Sequence, residues 1–211
     1  MDDGTPDEDM ISEERETEED IAMRTLMYAA LSHLESCREF ARLIPEVRTN
    51  IVYARDTALS PKDVLAIDGR ITVVGGMPRA AGKPGFGVSS HMARLLLELR
   101  KRDPSIRAGI NFANDPALAS WLEEYARKKG WVFSVIDRSR EPEAIKGAEG
   151  ASMPWKVGEA IRTAGGRVPK VFYETGAVGK EPVSVLVGSD PGTVVDEVVT
   201  IARLFVRGQQ G

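Results

Sequence analysis

Apolar residues recur at helical spacing along 21–44, where Met23, Met27, Ala30, Leu34, Cys37 and Ala41 share one face and Pro45 ends the run. Thr17, with Asp20 three residues on, offers a capping box for the start of this helix, a shorter carboxylate replacing the usual Glu. Segments 49–55 and 71–74 have strand composition, and the second stops at Gly75 and Gly76. Between them Ser60 and Pro61 are expected to cap and start a brief helix over Val64, Leu65 and Ile67, broken by Gly69. Helical period returns with Met92, Leu95, Leu96 and Leu99, while Arg94, Glu98 and Arg102 lie four apart on the opposite face. Downstream, strands are predicted at 106–112, 131–136, 168–173 and 183–187. They alternate with helices opened by Asp115-Pro116, by Ser152 with Pro154, and by Asp190-Pro191; Gly130 and Gly165-Gly166 stop the first two. Such alternation predicts an α/β layered domain. The short connections from 49–55 to 71–74 and from 168–173 to 183–187 predict antiparallel pairs, hence a mixed sheet.

Length and charge narrow the class. A chain of 211 residues, 42% hydrophobic, suits one full core, so 17–211 is expected to be a single domain behind an acidic, flexible arm at 1–16. Residues 1–20 carry eleven acids against Arg15 alone, which leaves the remainder with 27 basic and 21 acidic residues. A mildly basic body favours small anionic ligands. Nucleic acid is not expected, because no dense Lys/Arg patch with interleaved aromatics occurs. The single cysteine, Cys37, excludes an internal disulfide framework, suits a reducing compartment and falls in the helical pattern as apolar filler. No apolar run reaches the length of a membrane span and the acidic start has the wrong sign for a signal peptide, so a cytoplasmic chain without a membrane partner is expected.

The most chemically suggestive stretch is 82–102. Glycines 82, 85 and 87 allow close backbone approach, Ser89 and Ser90 are good N-caps, and His91, one of two histidines, stands in the first turn of a helix. Free N–H groups, hydroxyls and a helix dipole together make an anion site. Familiar alternatives fail. Five residues instead of four separate Gly76 from Gly82, and Pro84 stands where a P-loop has Ser or Thr. The glycine order is the reverse of a dinucleotide fingerprint. No CxxC or HExxH occurs, so no metal site is expected. What remains is a set of polar residues at predicted element boundaries: Asn50, Arg70, Ser89, Ser90, His91, Asn111, Asp137, Arg138, Ser152 and Lys180. Ligands in α/β sheets gather at strand carboxyl ends, where such residues converge, and Arg70, Arg138 and Lys180 supply the cations a phosphate requires.

Six segments, IPEVRTNIVYA (44–54), IDGRITVVGG (67–76), PGFGVSSHMAR (84–94), DR (137–138), GASMPW (150–155) and VGKEP (178–182), resemble in order and spacing the archaeal-type thiamine-phosphate synthase domain. That domain occurs alone, behind a hydroxymethylpyrimidine kinase, or fused to a DNA-binding regulator. The resemblance implies a three-layer α/β/α sandwich with a mixed sheet, similar to class II aldolases without their metal. The implied reaction joins hydroxymethylpyrimidine diphosphate to hydroxyethylthiazole phosphate, releasing pyrophosphate, and the family's indispensable arginine and histidine match Arg70 and His91. Around them the 85–91 loop (Gly85, Phe86, Gly87, Ser89, Ser90), Arg138, Ser152 and Lys180 are expected near phosphates, and Asn50, Asn111 and Asp137 toward the rings. For His91 the helix dipole disfavours imidazolium while a bound phosphate favours it, and the sequence leaves that balance open. Magnesium is compatible as companion to the diphosphate, though no carboxylate cage demands it, and a homodimer is common among similar proteins. The alternative is a sensor that binds thiamine phosphate without turnover. Regulators of that kind normally carry a helix-turn-helix ahead of the domain, whereas one helix and an acidic arm precede it here.

Overall fold

The computed structural model describes residues 16–145, 152–177 and 179–209. The acidic arm, apart from Glu16, and 146–151 of the charged segment after Ile136 lie outside the described residues. Helix α1 (Glu18–Glu35) begins at the expected capping box: the Asp20 N–H donates to Thr17 Oγ1 at 3.1 Å and the Thr17 N–H to Asp20 Oδ2 at 3.3 Å. It ends earlier than the periodicity predicts. Ser36 Oγ donates back to the His33 carbonyl at 2.7 Å, Cys37 turns extended, and a 3₁₀ segment (Arg38–Leu43) carries the same apolar face onward through Phe40 and Leu43. Short polar side chains that bond nearby carbonyls compete with the helix in this way.

Strands β1 (Ile51–Ala54) and β2 (Val64–Ile67) are buried at every position. The helix expected over 64–67 is therefore a strand. Ser60 and Pro61 open only a 3₁₀ turn (Pro61–Asp63), because a four-residue run without a polar face fits a sheet covered on both sides. Segment 71–74 is strand β3 (Ile71–Val74). It pairs not with β1 but with β4 (Met77–Ala80), a strand the pattern does not announce, through a two-glycine turn with positive φ at both Gly75 and Gly76. A single bridge, Thr49 to Ile71, ties this hairpin to the start of β1. The predicted glycine loop contains β5 (Pro84–Phe86), an edge strand on β2, where the proline at its first position leaves no ladder bond unmade.

The rest follows the expected order: α2 (His91–Arg100), β6 (Ala108–Ala113), α3 (Pro116–Lys129), β7 (Phe133–Ile136), α4 (Ser152–Thr163), β8 (Val171–Glu174), β9 (Val183–Gly188) and α5 (Pro191–Gly208). Asp115 and Asp190 cap α3 and α5 from the predicted positions. Among the described residues seven strands form one mixed sheet in the order β5-β2-β1-β6-β9-β8-β7, in which only β7 and β8 are parallel. Strand alternation sends Ile51, Tyr53, Ile110 and Phe112 to a core under α1, α3 and α5, and Val52, Ala54, Phe172, Val185 and Val187 to a second core under α2 and α4. The architecture is thus an α/β/α sandwich. Among the described residues no helix is long and apolar enough to cross a membrane.

Candidate active site

Because most of the sheet is antiparallel, one of its ends gathers strand starts as well as strand ends. Asn50 lies just before β1 and Val183 opens β9, while Arg138 lies just beyond β7 and Glu174 closes β8. The same alternation that sends Val52, Phe172, Val185 and Ile136 toward α2 and α4 puts Asn50, Glu174, Val183 and Arg138 on that face, together with Asn111. The N-termini of α2 and α4 close over this end. The result is a cleft of about 690 Å³, within the range of small-molecule sites. It is lined by Asn50, Arg70, Ser89, Ser90, His91, Asn111, Arg138, Ser152 and Lys180, joined by Lys156, Glu174 and Glu181.

Four expected residues lie elsewhere. Asp137 has the opposite strand parity to Arg138, and its carboxylate caps the following turn by accepting from the Ser139 N–H and hydroxyl. Phe86 packs on the α1 side of the sheet with Arg55 4.2 Å over its ring. Gly85 leaves room for Val88, whose Cγ1 would lie 2.9 Å from a Cβ there, and Gly87 takes a left-handed φ of 75°. These last three shape the turn that delivers Val88–His91 without lining the cleft. Ser90 occupies the N-cap position of α2 but makes no side-chain capping bond, which leaves the hydroxyl unspent on its own helix.

The two asparagines are committed to backbone. Asn50 Nδ2 donates to the Ile67 carbonyl at 3.0 Å while its Oδ1 accepts from the Ile67 N–H at 2.9 Å, so the side chain extends the β1–β2 ladder by one rung. Asn111 Oδ1 accepts from the Asn50 N–H at 2.8 Å and its Nδ2 donates to the Arg48 carbonyl at 3.0 Å. Both are thereby fixed as part of the cleft floor, each with a second amide hydrogen besides the one spent.

Arg70 is exposed at the cleft and has a left-handed backbone, φ 68°. Arg48 shares that φ, and the two are reciprocal: Arg70 donates to the Val47 carbonyl, and Arg48 Nη1 to the Gly69 carbonyl at 3.2 Å. Glu181 fastens the same 46–47 turn from the other side, accepting from the N–H groups of Glu46 and Val47 at 3.0 and 2.6 Å. Non-glycine residues held at positive φ store strain and cluster at functional sites.

Behind the cleft lies an ionic cluster the sequence reading missed in part. Arg138, its side chain 2% exposed, bonds Glu174 and, at 2.7 Å, Glu141. Lys156 Nζ meets Glu174 Oε1 at 2.7 Å with its side chain 4% exposed. Burial pushes the Glu174 carboxyl up, but Lys156 and Arg138 together outweigh it and hold the group below the usual carboxylate range. Signals for Glu174 and Lys156 were present. Glu174 ends a strand one residue past the predicted boundary, and Lys156 stands one helical turn after Ser152, on the same face of α4.

His91 is lowered to about 4, first by burial, then by the cations of Lys156, Arg70 and Arg138, with Glu174 opposing. The residue keeps contact with solvent, so this is the crowding of a cleft and not of a sealed core. Burial and the three neighbouring cations thus favour the neutral imidazole at pH 7. Its stability consequence has a definite sign. Between 6.5 and about 4 the unfolded imidazole binds more protons than the folded one. Its contribution is therefore complete above pH 6.5 and is lost as pH falls through 4. The wild-type urea midpoint is expected to drop across that window relative to His91→Gln; parallel curves for the two proteins would contradict it.

Among the described residues no group of three or more His, Cys, Asp or Glu could hold a metal ion. The cleft carboxylates Glu174 and Glu181 already serve cations and backbone N–H groups. The fold and site together define an α/β domain whose sheet end forms a cationic cleft closed by two helix N-termini. Residues 26–200 match the family Thiamine-phosphate synthase ThiN, and the chain belongs to that family. It is 42% identical to the Thiamine-phosphate synthase ThiN of Methanothermobacter thermautotrophicus over 83% of this chain and 90% of the relative. It is 34% identical to the Bifunctional thiamine biosynthesis protein ThiDN of Methanocaldococcus jannaschii, covering 77% of this chain and 37% of that longer protein. The crystal structure of the C-terminal domain of phosphomethylpyrimidine kinase superposes with a TM-score of 0.81 at 34% identity, over 86% of this chain and 98% of that one.

Proposed function

We propose that this protein is a thiamine-phosphate synthase, joining hydroxymethylpyrimidine diphosphate to hydroxyethylthiazole phosphate in the cleft between α2, α4 and the sheet end. The observation that carries the reading is the meeting of Arg70, Lys180 and two helix N-termini around one cleft beside a neutral histidine. Both substrates bring phosphate groups, and these cations and free N–H groups are what such groups bind.

In the reaction the bond from the pyrimidine methylene to the diphosphate oxygen breaks with its electron pair going to pyrophosphate. The thiazole nitrogen lone pair then forms the new C–N bond. No proton leaves carbon, so the task is to stabilise separating charge. Arg70 faces the negative charge growing on the leaving group, as a preorganised donor should. Neutral His91 donates one N–H hydrogen bond to the same oxygens without adding positive charge near the methylene. The rings rest against the apolar part of the lining, Met92, Leu95, Met153 and Val185, over the Asn50–Asn111 floor. Any magnesium enters with the diphosphate, since the cleft carboxylates are committed.

Incubating the pure protein with both substrates should yield thiamine phosphate and pyrophosphate in equal amounts. Binding of thiamine phosphate without turnover would instead make the chain a sensor.

A further inference from the structure

We propose that Lys156 is an additional phosphate ligand of this cleft, held in reserve by Glu174 until substrate arrives. The inference rests on the synthase reading above and adds a binding residue to it. Lys156 lines the cleft from the second turn of α4, one helical turn behind Ser152 at the helix N-terminus, and its side chain is 4% exposed. An ammonium carries three N–H donors, and Glu174 at 2.7 Å takes one. Glu174 is shared, because Arg138 binds the same Oε1 and is itself bound by Glu141. Glu174 and Glu141 balance Lys156 and Arg138, so the surplus positive charge at this wall comes from Lys180, while Lys156 keeps two N–H donors beyond the one that Glu174 takes. The other charged groups acting on Lys156 are the cations Arg138 and Lys180, and burial also disfavours its charged form.

A buried ion cluster is weak as a stabilising device, since apolar residues of similar volume often serve as well. Its position behind a cleft for diphosphate gives it a use. An incoming anion supplies the negative charge that Lys156, Arg138 and Lys180 jointly lack, and the ammonium swings part of its bonding from Glu174 to phosphate oxygen.

The two partners therefore have opposite effects on anion binding, which a purely structural pair would not show. Inorganic pyrophosphate, the product anion, is the probe, titrated calorimetrically at pH 8. Lys156→Met should weaken pyrophosphate binding about tenfold or more, with kcat/KM falling in step. Glu174→Gln should leave the affinity equal or tighter, because the competing carboxylate is gone, although both substitutions lower the melting temperature. If Lys156→Met proves too unstable to titrate, the double variant Lys156→Met/Glu174→Gln removes the orphaned carboxylate and should show the same loss. Equal weakening by Lys156→Met and Glu174→Gln, or unchanged affinity in Lys156→Met, overturns the inference while leaving wild-type turnover and the synthase reading intact. A wild-type protein that neither turns over nor binds pyrophosphate overturns both.

Discussion

Arg70→Ala is expected to lower kcat by about 10²–10³-fold, the loss typical of removing one preorganised donor from a developing oxyanion. KM should change far less, because the guanidinium acts mainly on charge that grows as pyrophosphate departs. Arg70→Lys should recover only part of the rate: it restores charge without the planar fork that meets two oxygens at once. A third variant separates chemistry from folding. Arg70 holds a φ of 68°, a region that costs a side-chain-bearing residue roughly 1 kcal/mol and glycine almost nothing. Arg70→Gly should therefore keep its melting temperature close to that of the wild type, relief of strain offsetting the lost bond to the Val47 carbonyl, while losing the rate as fully as the alanine variant. Wild-type kcat in either Arg70→Ala or Arg70→Gly would remove the guanidinium from the reaction.

Much of this site is legible in the chain because its residues sit at element boundaries, and boundaries carry signals. Asp115, Asp190, Gly130 and the prolines place the helices, and the glycine-serine run before His91 marks an N-terminus open to an anion. What escapes is whatever depends on pairing. Val64–Ile67, expected as a short helix, is a strand because β1 and β5 flank it, and a four-residue apolar run carries no periodicity that shows this in advance. The β3–β4 hairpin hides because Pro78 and Arg79 spoil its alternation, and only its two-glycine turn announces it. Parity explains the site errors in the same terms. Asp137 and Arg138 are neighbours in sequence, yet strand geometry sends the second into the cleft region and leaves the first as a cap. Likewise Phe86 belongs to an edge strand, not a loop, and its ring is claimed by Arg55 and Arg24 on the far face. Reading carboxyl ends alone fails because an antiparallel sheet mixes starts and ends at each of its edges.

Arg138 is where the sequence reading and the structure ask for different experiments. A phosphate ligand, removed, would raise KM and leave stability nearly untouched. The structure instead places this guanidinium between Glu141 and Glu174 with its side chain 2% exposed. Arg138→Met is thus expected to cost about 3–5 kcal/mol in urea unfolding, the penalty for stranding buried charge, because Glu141 loses its cation and Glu174 keeps only Lys156. Arg138→Met/Glu141→Leu removes the stranded partner and should recover most of that loss, since apolar side chains of similar volume replace such pairs at little cost. Both variants retain the lone Lys156–Glu174 pair, now without competition for the carboxylate, so Lys156 should be held more tightly and pyrophosphate affinity should fall moderately in each. A large rise in KM with unchanged unfolding would return Arg138 to the substrate, whereas a stability loss rescued by Glu141→Leu makes it the post on which the cleft's buried lysine is hung.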